Sequence, residues 1–195
     1  MSPGIVSLRD SWQGRLNFEV LSGGMVTGSR IGPATDMAQY IRGAHKRVEE
    51  MAGVKFGRAF LDGTLSNPEA IFNSIKPSQA LTAAKQLRPD VAVSMAHAIQ
   101  QAIYVDGQLP DVWATYEVIA IKLGLNDDGQ FLALAQSDVI EKATQAEFGQ
   151  VQAWGVTGFP TLVLDFEDKL YLLSQGFSPA KSISERIERV LGGQV

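Results

Sequence analysis

The hydrophobic period changes twice along this chain, and those changes confine the fold to an α/β arrangement interrupted by a long helical segment. Leu16, Phe18 and Val20 alternate with Asn17 and Glu19, a period of two that predicts a strand with one face buried, ended by Ser22-Gly23-Gly24. From Gly32 to about Gln152 the period is helical, with breaks at Gly53, Asn67-Pro68, Lys76-Pro77, Arg88-Pro89, Asp106-Gly107 and Leu125-Asn126. After Gly155 it returns to strand character in Thr161 to Phe166 and Leu170 to Leu173, and Glu167, Asp168 and Lys169 between them predict a hairpin.

Helices bracket these strands. Ser2 and Pro3 read as an N-cap and first helical position. Ile5, Leu8 and Trp12 then give an amphipathic helix over residues 3 to 13, closed by Gly14. Within the helical block the clearest member runs from about Thr35 to Ala52. There Met37, Ile41, Ala44, Val48 and Met51 recur at steps of four and three, and this stripe is expected to face the core. Pro77, Pro89 and Pro110 each precede an apolar-periodic segment, as proline does near a helix start. Ser178-Pro179 opens a last helix with the stripe Ile183, Ile187, Val190 and Leu191, and Gly192-Gly193 ends it.

Composition narrows the function classes. A chain of 195 residues buries roughly 70% of its unfolded surface, enough for a core without staples. With 45% hydrophobic and 19% charged residues it is not a disordered chain. A net charge of −4 without a basic stripe argues against nucleic acid as a partner. No run approaches the ~20 apolar residues of a membrane span, and the N-terminus lacks a basic segment followed by an apolar run, so no membrane partner and a cytoplasmic location are expected. The chain has no cysteine, which excludes disulfides, thiolate metal sites and thiol chemistry of its own.

The order helix, strand, helical block, strand, strand, helix resembles a thioredoxin-like core. Gly155-Val156-Thr157-Gly158-Phe159-Pro160-Thr161-Leu162-Val163-Leu164 resembles the cis-proline loop and third strand of that superfamily. The helical insertion makes the chain similar to the DsbA family of thiol-disulfide oxidoreductases. Phe18-Glu19-Val20-Leu21-Ser22-Gly23-Gly24-Met25, Tyr40-Ile41-Arg42-Gly43-Ala44 and Gln175-Gly176-Phe177 resemble its protein disulfide isomerase-like branch.

The resemblance implies an α/β fold: a thioredoxin-like core from residues 1–31 and 153–195, with a large all-helical insertion, 32–152. It also implies that the first core strand and the Cys-x-x-Cys motif are absent, since Met1-Ser2-Pro3 resembles the helix just after the second cysteine. In the family that strand lies centrally. Its loss would leave unpaired edges costing about 1 to 3 kcal/mol per buried group, against a typical net stability of about 5 to 15 kcal/mol. Three remedies are open: direct antiparallel pairing of Leu16–Leu21 with Thr161–Phe166, completion by another chain, or a longer natural protein of which this is a fragment. The last is the expected origin, and direct pairing or a homodimer the expected structural consequence.

The family activity so implied is thiol-disulfide exchange, which a chain without sulfur nucleophiles cannot perform. Thr157, Gly158, Phe159 and Pro160 are the expected substrate-binding residues, with an extended peptide or protein as partner; no catalytic residue, metal or cofactor is expected. The resemblance makes the Phe159–Pro160 bond cis, whereas the residues alone favour a trans proline opening a strand. The alternatives are a non-catalytic peptide-binding module and a glutathione-dependent isomerase or transferase relative. In the latter Ser2 would stand in for the cysteine, although an N-cap role accounts for it.

The remaining candidates have plainer readings. His45, with Glu49 one turn on, and His97 are the only histidines, too few for a metal site. Ser22-Gly23-Gly24 lacks the pattern of a phosphate loop and reads as a turn needing positive φ. Trp113, Tyr116, Phe148 and Trp154 could line a groove between insertion and core, with core packing the simpler role. Asp127-Asp128-Gly129 lacks the later ligands of a calcium loop and reads as a helix-start turn.

Overall fold

A computed structural model describes residues 2–125 and 129–193, with Ser2 as backbone only. Asp127 and Asp128 of the calcium-like turn, and the Ser2 side chain, lie outside the described residues. The opening helix α1 (Ser2–Ser11) runs on through a turn to Gly14, whose φ of +77° ends it. Leu8 and Trp12 are fully buried on one face. The Trp12 indole donates to Ser184 Oγ at 2.7 Å and Arg9 donates to Ser94 Oγ at 2.9 Å, tying α1 to the last helix on one side and to the helical block on the other.

The strand expected over Leu16–Val20 is not there. Leu16, Phe18 and Val20 are half-buried while Asn17 and Glu19 are exposed, so the alternation survives, but the segment has no ladder with any described residue. A period of two reports an extended backbone lying on a core, and the hydrogen-bond partners are a separate matter. Here side chains supply them: Lys85 Nζ donates to the Val20 carbonyl at 2.8 Å, and the Ser22 N–H donates to Glu147 Oε2 at 3.0 Å. The expected direct pairing of Leu16–Leu21 with Thr161–Phe166 is therefore corrected.

The helical block contains α2 (Ala34–Ala52), α3 (Ile75–Leu87), α4 (Ala92–Tyr104), α5 (Trp113–Lys122), α6 (Gln130–Ala135) and α7 (Asp138–Ala153). A two-residue antiparallel ladder, β1 (Gly32–Pro33) with β2 (Ile71–Phe72), precedes α2 and α3; it is too short to leave a sequence signal. The breaks at Pro77, Pro89 and Pro110 do mark helix starts or the turns before them. Helix α3 is the hub. Ser78 to Ala84 are all buried, because α3 is walled by α4, α5, α6 and α7.

Helix α2 sits differently from expectation. Its core face is Ala34, Ala38 and half-buried Ile41, while Met37, Val48 and Met51 are 45%, 42% and 50% exposed. Of the predicted core stripe, Ile41 keeps to the core while Met37, Val48 and Met51 turn to the surface, because small alanines let α2 lie close on the block.

The hairpin forms as expected: β3 (Thr161–Phe166) pairs antiparallel with β4 (Lys169–Gln175) across Glu167 and Asp168, both at positive φ as a tight two-residue turn requires. The register slips between Leu162 and Val163, leaving Leu173 as a bulge. Leu173 and Ser174 are consequently both buried, and Ser174 Oγ has no partner there. Helix α8 (Ala180–Leu191) lays Ile183, Ile187 and Val190 on this hairpin. Two hydrophobic clusters result. One joins Leu8, Trp12, Leu164 and Leu173 to the α8 stripe, with Leu16 and Phe18 packed on it. The other fills the helical block, with Val20 against it.

Candidate functional site

The segment after the missing ladder leads into a turn made of glycines. Gly24 has φ +60°, the left-handed value expected there. A Cβ on Gly24 would lie 2.9 Å from the Phe148 ring, and one on Gly23 would lie 2.0 Å from Phe159 Cζ. Both rings are thus seated directly on glycine backbone. Phe159 belongs to the loop between α7 and β3, and the Phe159–Pro160 peptide bond is cis.

That loop is exposed at Thr157, Phe159 and Pro160. Internally, Thr161 Oγ1 donates to the Gly158 carbonyl at 2.7 Å, Gln175 Nε2 donates to Thr157 Oγ1 at 3.1 Å, and the Gly176 N–H donates to the Pro160 carbonyl at 2.7 Å. The backbone N–H and C=O of Phe159 have no partner among the described residues, so they remain able to pair with an extended chain. Such a chain would meet a cavity of about 740 Å³ between the loop and the block, lined by Phe159, Met25, Met37, Ile41, Phe72 and Ile103, with Arg30 and Asp36 also in its wall. A second cavity of about 440 Å³ lies on the other side of the Gly23-Gly24 turn. Thr157, Gly158, Phe159, Phe148, Gln152 and Arg30 line it. Arg30 Nη2 donates to the Gly24 carbonyl at 3.4 Å and forms no ion pair with any described residue.

A buried ion pair fixes the turn from below. Lys85 on α3 is hydrogen-bonded to Glu147 on α7, both side chains being largely buried. Glu147 thereby spends one oxygen on Lys85 and the other on the Ser22 N–H. Behind them, the Thr144 hydroxyl donates to Thr82 Oγ1 at 3.2 Å. No sequence signal marks Lys85, Glu147 or Arg30, because the elements carrying them meet only in the folded chain.

The other candidates fall outside this site. Tyr116 is fully buried and donates to the Pro110 carbonyl; burial, reinforced by the Asp111 carboxylate, pushes its hydroxyl far above the ordinary tyrosine range. Trp113 packs edge-on to it, Trp154 is exposed, and only Phe148 of the four proposed groove aromatics reaches a cavity by the loop. His45 Nδ1 is hydrogen-bonded with the Arg42 carbonyl at 2.9 Å, not with Glu49. Glu49 instead accepts the Phe56 N–H at 2.8 Å and Lys55 Nζ at 3.3 Å. His97 is half-buried on α4. Among the described residues no three His, Cys, Asp or Glu side chains converge as a metal site would need, and no described helix is long and apolar enough to cross a membrane.

A hairpin covered by helices, a helical insertion and an X-Pro loop leading into β3 give the thioredoxin-like fold of DsbA-type proteins. The chain is similar throughout its length to the structure of a candidate protein disulfide isomerase from Nitrosomonas europaea, at 24% identity and a TM-score of 0.84, covering 91% of that chain. The cytosolic disulfide reductase DsbM from Pseudomonas aeruginosa is also 24% identical, with 97% of this chain and 91% of that one aligned and a TM-score of 0.81. Its structure with GSH aligns at 0.78. A 2-hydroxychromene-2-carboxylate isomerase is more distant, at 15% identity and a TM-score of 0.59. No protein-family model matches the sequence, and comparison with curated proteins finds no relative.

Proposed function

We propose that this chain is a redox-inactive relative of the DsbA-type thiol-disulfide oxidoreductases that binds extended polypeptide at Thr157, Gly158, Phe159 and Pro160. The observation that carries the proposal is the pairing of an unpartnered Phe159 backbone with an adjoining apolar cavity in a chain that has no sulfur nucleophile. An extended segment adds its backbone to Phe159 and places alternate side chains in the cavity, the mode used wherever a free edge recruits a strand. Exchange itself needs an attacking thiolate, which no other side chain replaces. The exchange-type neighbours support the fold half of this reading, and the cytosolic description of DsbM supports a cytoplasmic location for the chain.

The test is a pair of measurements on the purified chain. Turnover of a reduced dithiol substrate is expected to stay at the uncatalysed rate, while an extended peptide with alternating apolar residues binds, and Phe159→Ala weakens it at least tenfold. Catalysed exchange, or peptide binding indifferent to Phe159, sinks the proposal. A second reading rests on Arg30, a cation with no ion-pair partner among the described residues, beside the polar cavity of about 440 Å³. That site fits a small dicarboxylate such as glutathione, which accompanies DsbM in one neighbour. Saturable glutathione binding lost in Arg30→Ala would favour it.

A further inference from the structure

Two backbone edges of this fold are unused, and both can be read from the alternation of an extended chain. Each residue of such a chain turns its N–H and C=O to one side, and the next residue turns them to the other. Between Leu16 and Ser22 the even-numbered side is taken: the Val20 carbonyl accepts from Lys85 Nζ and the Ser22 N–H donates to Glu147. Asn17, Glu19 and Leu21 therefore turn their backbone groups away from α3 and α7, and those groups have no hydrogen-bond partner among the described residues.

The same count applies to β3. Its two-residue turn makes Phe166 and Lys169 a hydrogen-bonded pair, and at the other end the Pro160 carbonyl accepts the Gly176 N–H. Even-numbered residues of β3 thus bond to β4. Thr161, Val163 and Asp165 turn outward, and on that side β3 has no ladder with any described residue. The two free edges share one core. Leu16 and Phe18 pack on the same hydrophobic cluster as Leu162, Leu164 and Phe166, and the seating of Phe159 on Gly23 joins the end of one edge to the start of the other.

A free edge is a template for another strand. We infer that one extended segment of a partner polypeptide lies between these edges, antiparallel to β3, bonded to Thr161, Val163 and Asp165 on one side and to Asn17, Glu19 and Leu21 on the other. The inference takes its starting point from the reading of Phe159 as a peptide-pairing residue. The flanking side chains set the chemistry of the occupant. One face of the segment lies on the shared cluster and is apolar. On the opposite face Glu19 and Asp165 are exposed and form no ion pair with any described residue. Alternate positions are therefore basic, since opposite charges on neighbouring strands attract across the face of a sheet. The partner is a strand in which apolar residues alternate with lysine or arginine.

The probe is the peptide acetyl-Lys-Val-Lys-Val-Lys-Val-Lys-amide, titrated into the whole chain and followed by amide hydrogen exchange. Saturating peptide is expected to slow exchange at least tenfold at the free-edge amides, while the Leu162 and Leu164 amides, already in the ladder, change only as far as global stability does. Methylating the nitrogen of either of two successive central peptide residues should weaken binding at least tenfold, because successive residues face different edges. Tolerance at one of them would show pairing on a single edge and overturn the inference. Glu19→Gln with Asp165→Asn should weaken the peptide at least tenfold at an unchanged melting temperature, because both side chains are exposed. Unchanged exchange at the free-edge amides, or equal binding of the same peptide with glutamate for lysine, would overturn it. So would protection that appears without peptide as protein concentration rises, the mark of a second copy on the edge. Phe159→Ala separates this inference from the loop reading: weakened binding with no protection along β3 sinks the edge alone, whereas protection with binding indifferent to Phe159 leaves the edges occupied and sinks the loop reading.

Discussion

Gly23 lies directly beneath the ring of Phe159, so close that a Cβ on the glycine would stand 2.0 Å from Cζ. Two segments more than a hundred residues apart in sequence therefore share one surface, and the shape of the candidate site depends on the smallest side chain available at position 23.

Gly23→Ala forces the Phe159 ring from its seat. Overpacking of this kind costs about 1–3 kcal/mol, and peptide affinity at the loop falls with it. The second substitution, Phe159→Ala, restores stability on the Gly23→Ala background while affinity stays low. A double-mutant cycle by chemical denaturation and peptide titration measures both, and additive stability losses would show that the two residues are uncoupled.

Lys85 and Glu147 stand in for the ladder that residues 16–22 lack. Their side chains are only 13% and 14% exposed, so Glu147→Leu leaves a buried ammonium without its counter-charge, Lys85→Met leaves a buried carboxylate without its own, and each costs about 3–5 kcal/mol. The double variant recovers only the part of that loss due to the unpaired charge, because the Val20 carbonyl and the Ser22 N–H remain without their partners. Hydrogen exchange gives a local readout: the Ser22 amide loses protection in Glu147→Leu, while amides in α8 change only as far as global stability does.

The Phe56 N–H bound to Glu49, aided by Lys55 and more weakly by His45, holds the Glu49 carboxyl below the ordinary glutamate range. A carboxylate depressed on folding stabilises the fold above its unfolded value, and that contribution is lost as pH falls through its folded value. Glu49→Gln should therefore lower the denaturation midpoint at neutral pH and narrow the gap to wild type in acid. A constant gap across the acid range would refute the assignment.

Tyr116→Phe removes the donor to the buried Pro110 carbonyl while keeping the ring in place. The expected loss is about 1–3 kcal/mol, read as a lower thermal midpoint with no change in peptide affinity, because Tyr116 lines neither cavity beside the loop.

The sequence by itself determined the opening helix, the long helical block, the hairpin with its turn at Glu167 and Asp168, and the orientation of α8, whose stripe of Ile183, Ile187 and Val190 is buried as written. The Thr157 to Pro160 segment was legible as a contiguous motif, although its cis bond was expected only from the resemblance. These are local facts, fixed by period and turn chemistry within a few residues. Tertiary structure decided the rest. The alternation in Leu16–Val20 specified an extended segment but could not name its hydrogen-bond partners, which came from side chains on α3 and α7. The stripe of α2 specified an amphipathic helix but not which face met the core; close-packed Ala34 and Ala38 took that place and left Met37, Val48 and Met51 at the surface. A period states that one side of an element is apolar, whereas what lies against that side depends on residues distant in the chain, brought there only by folding.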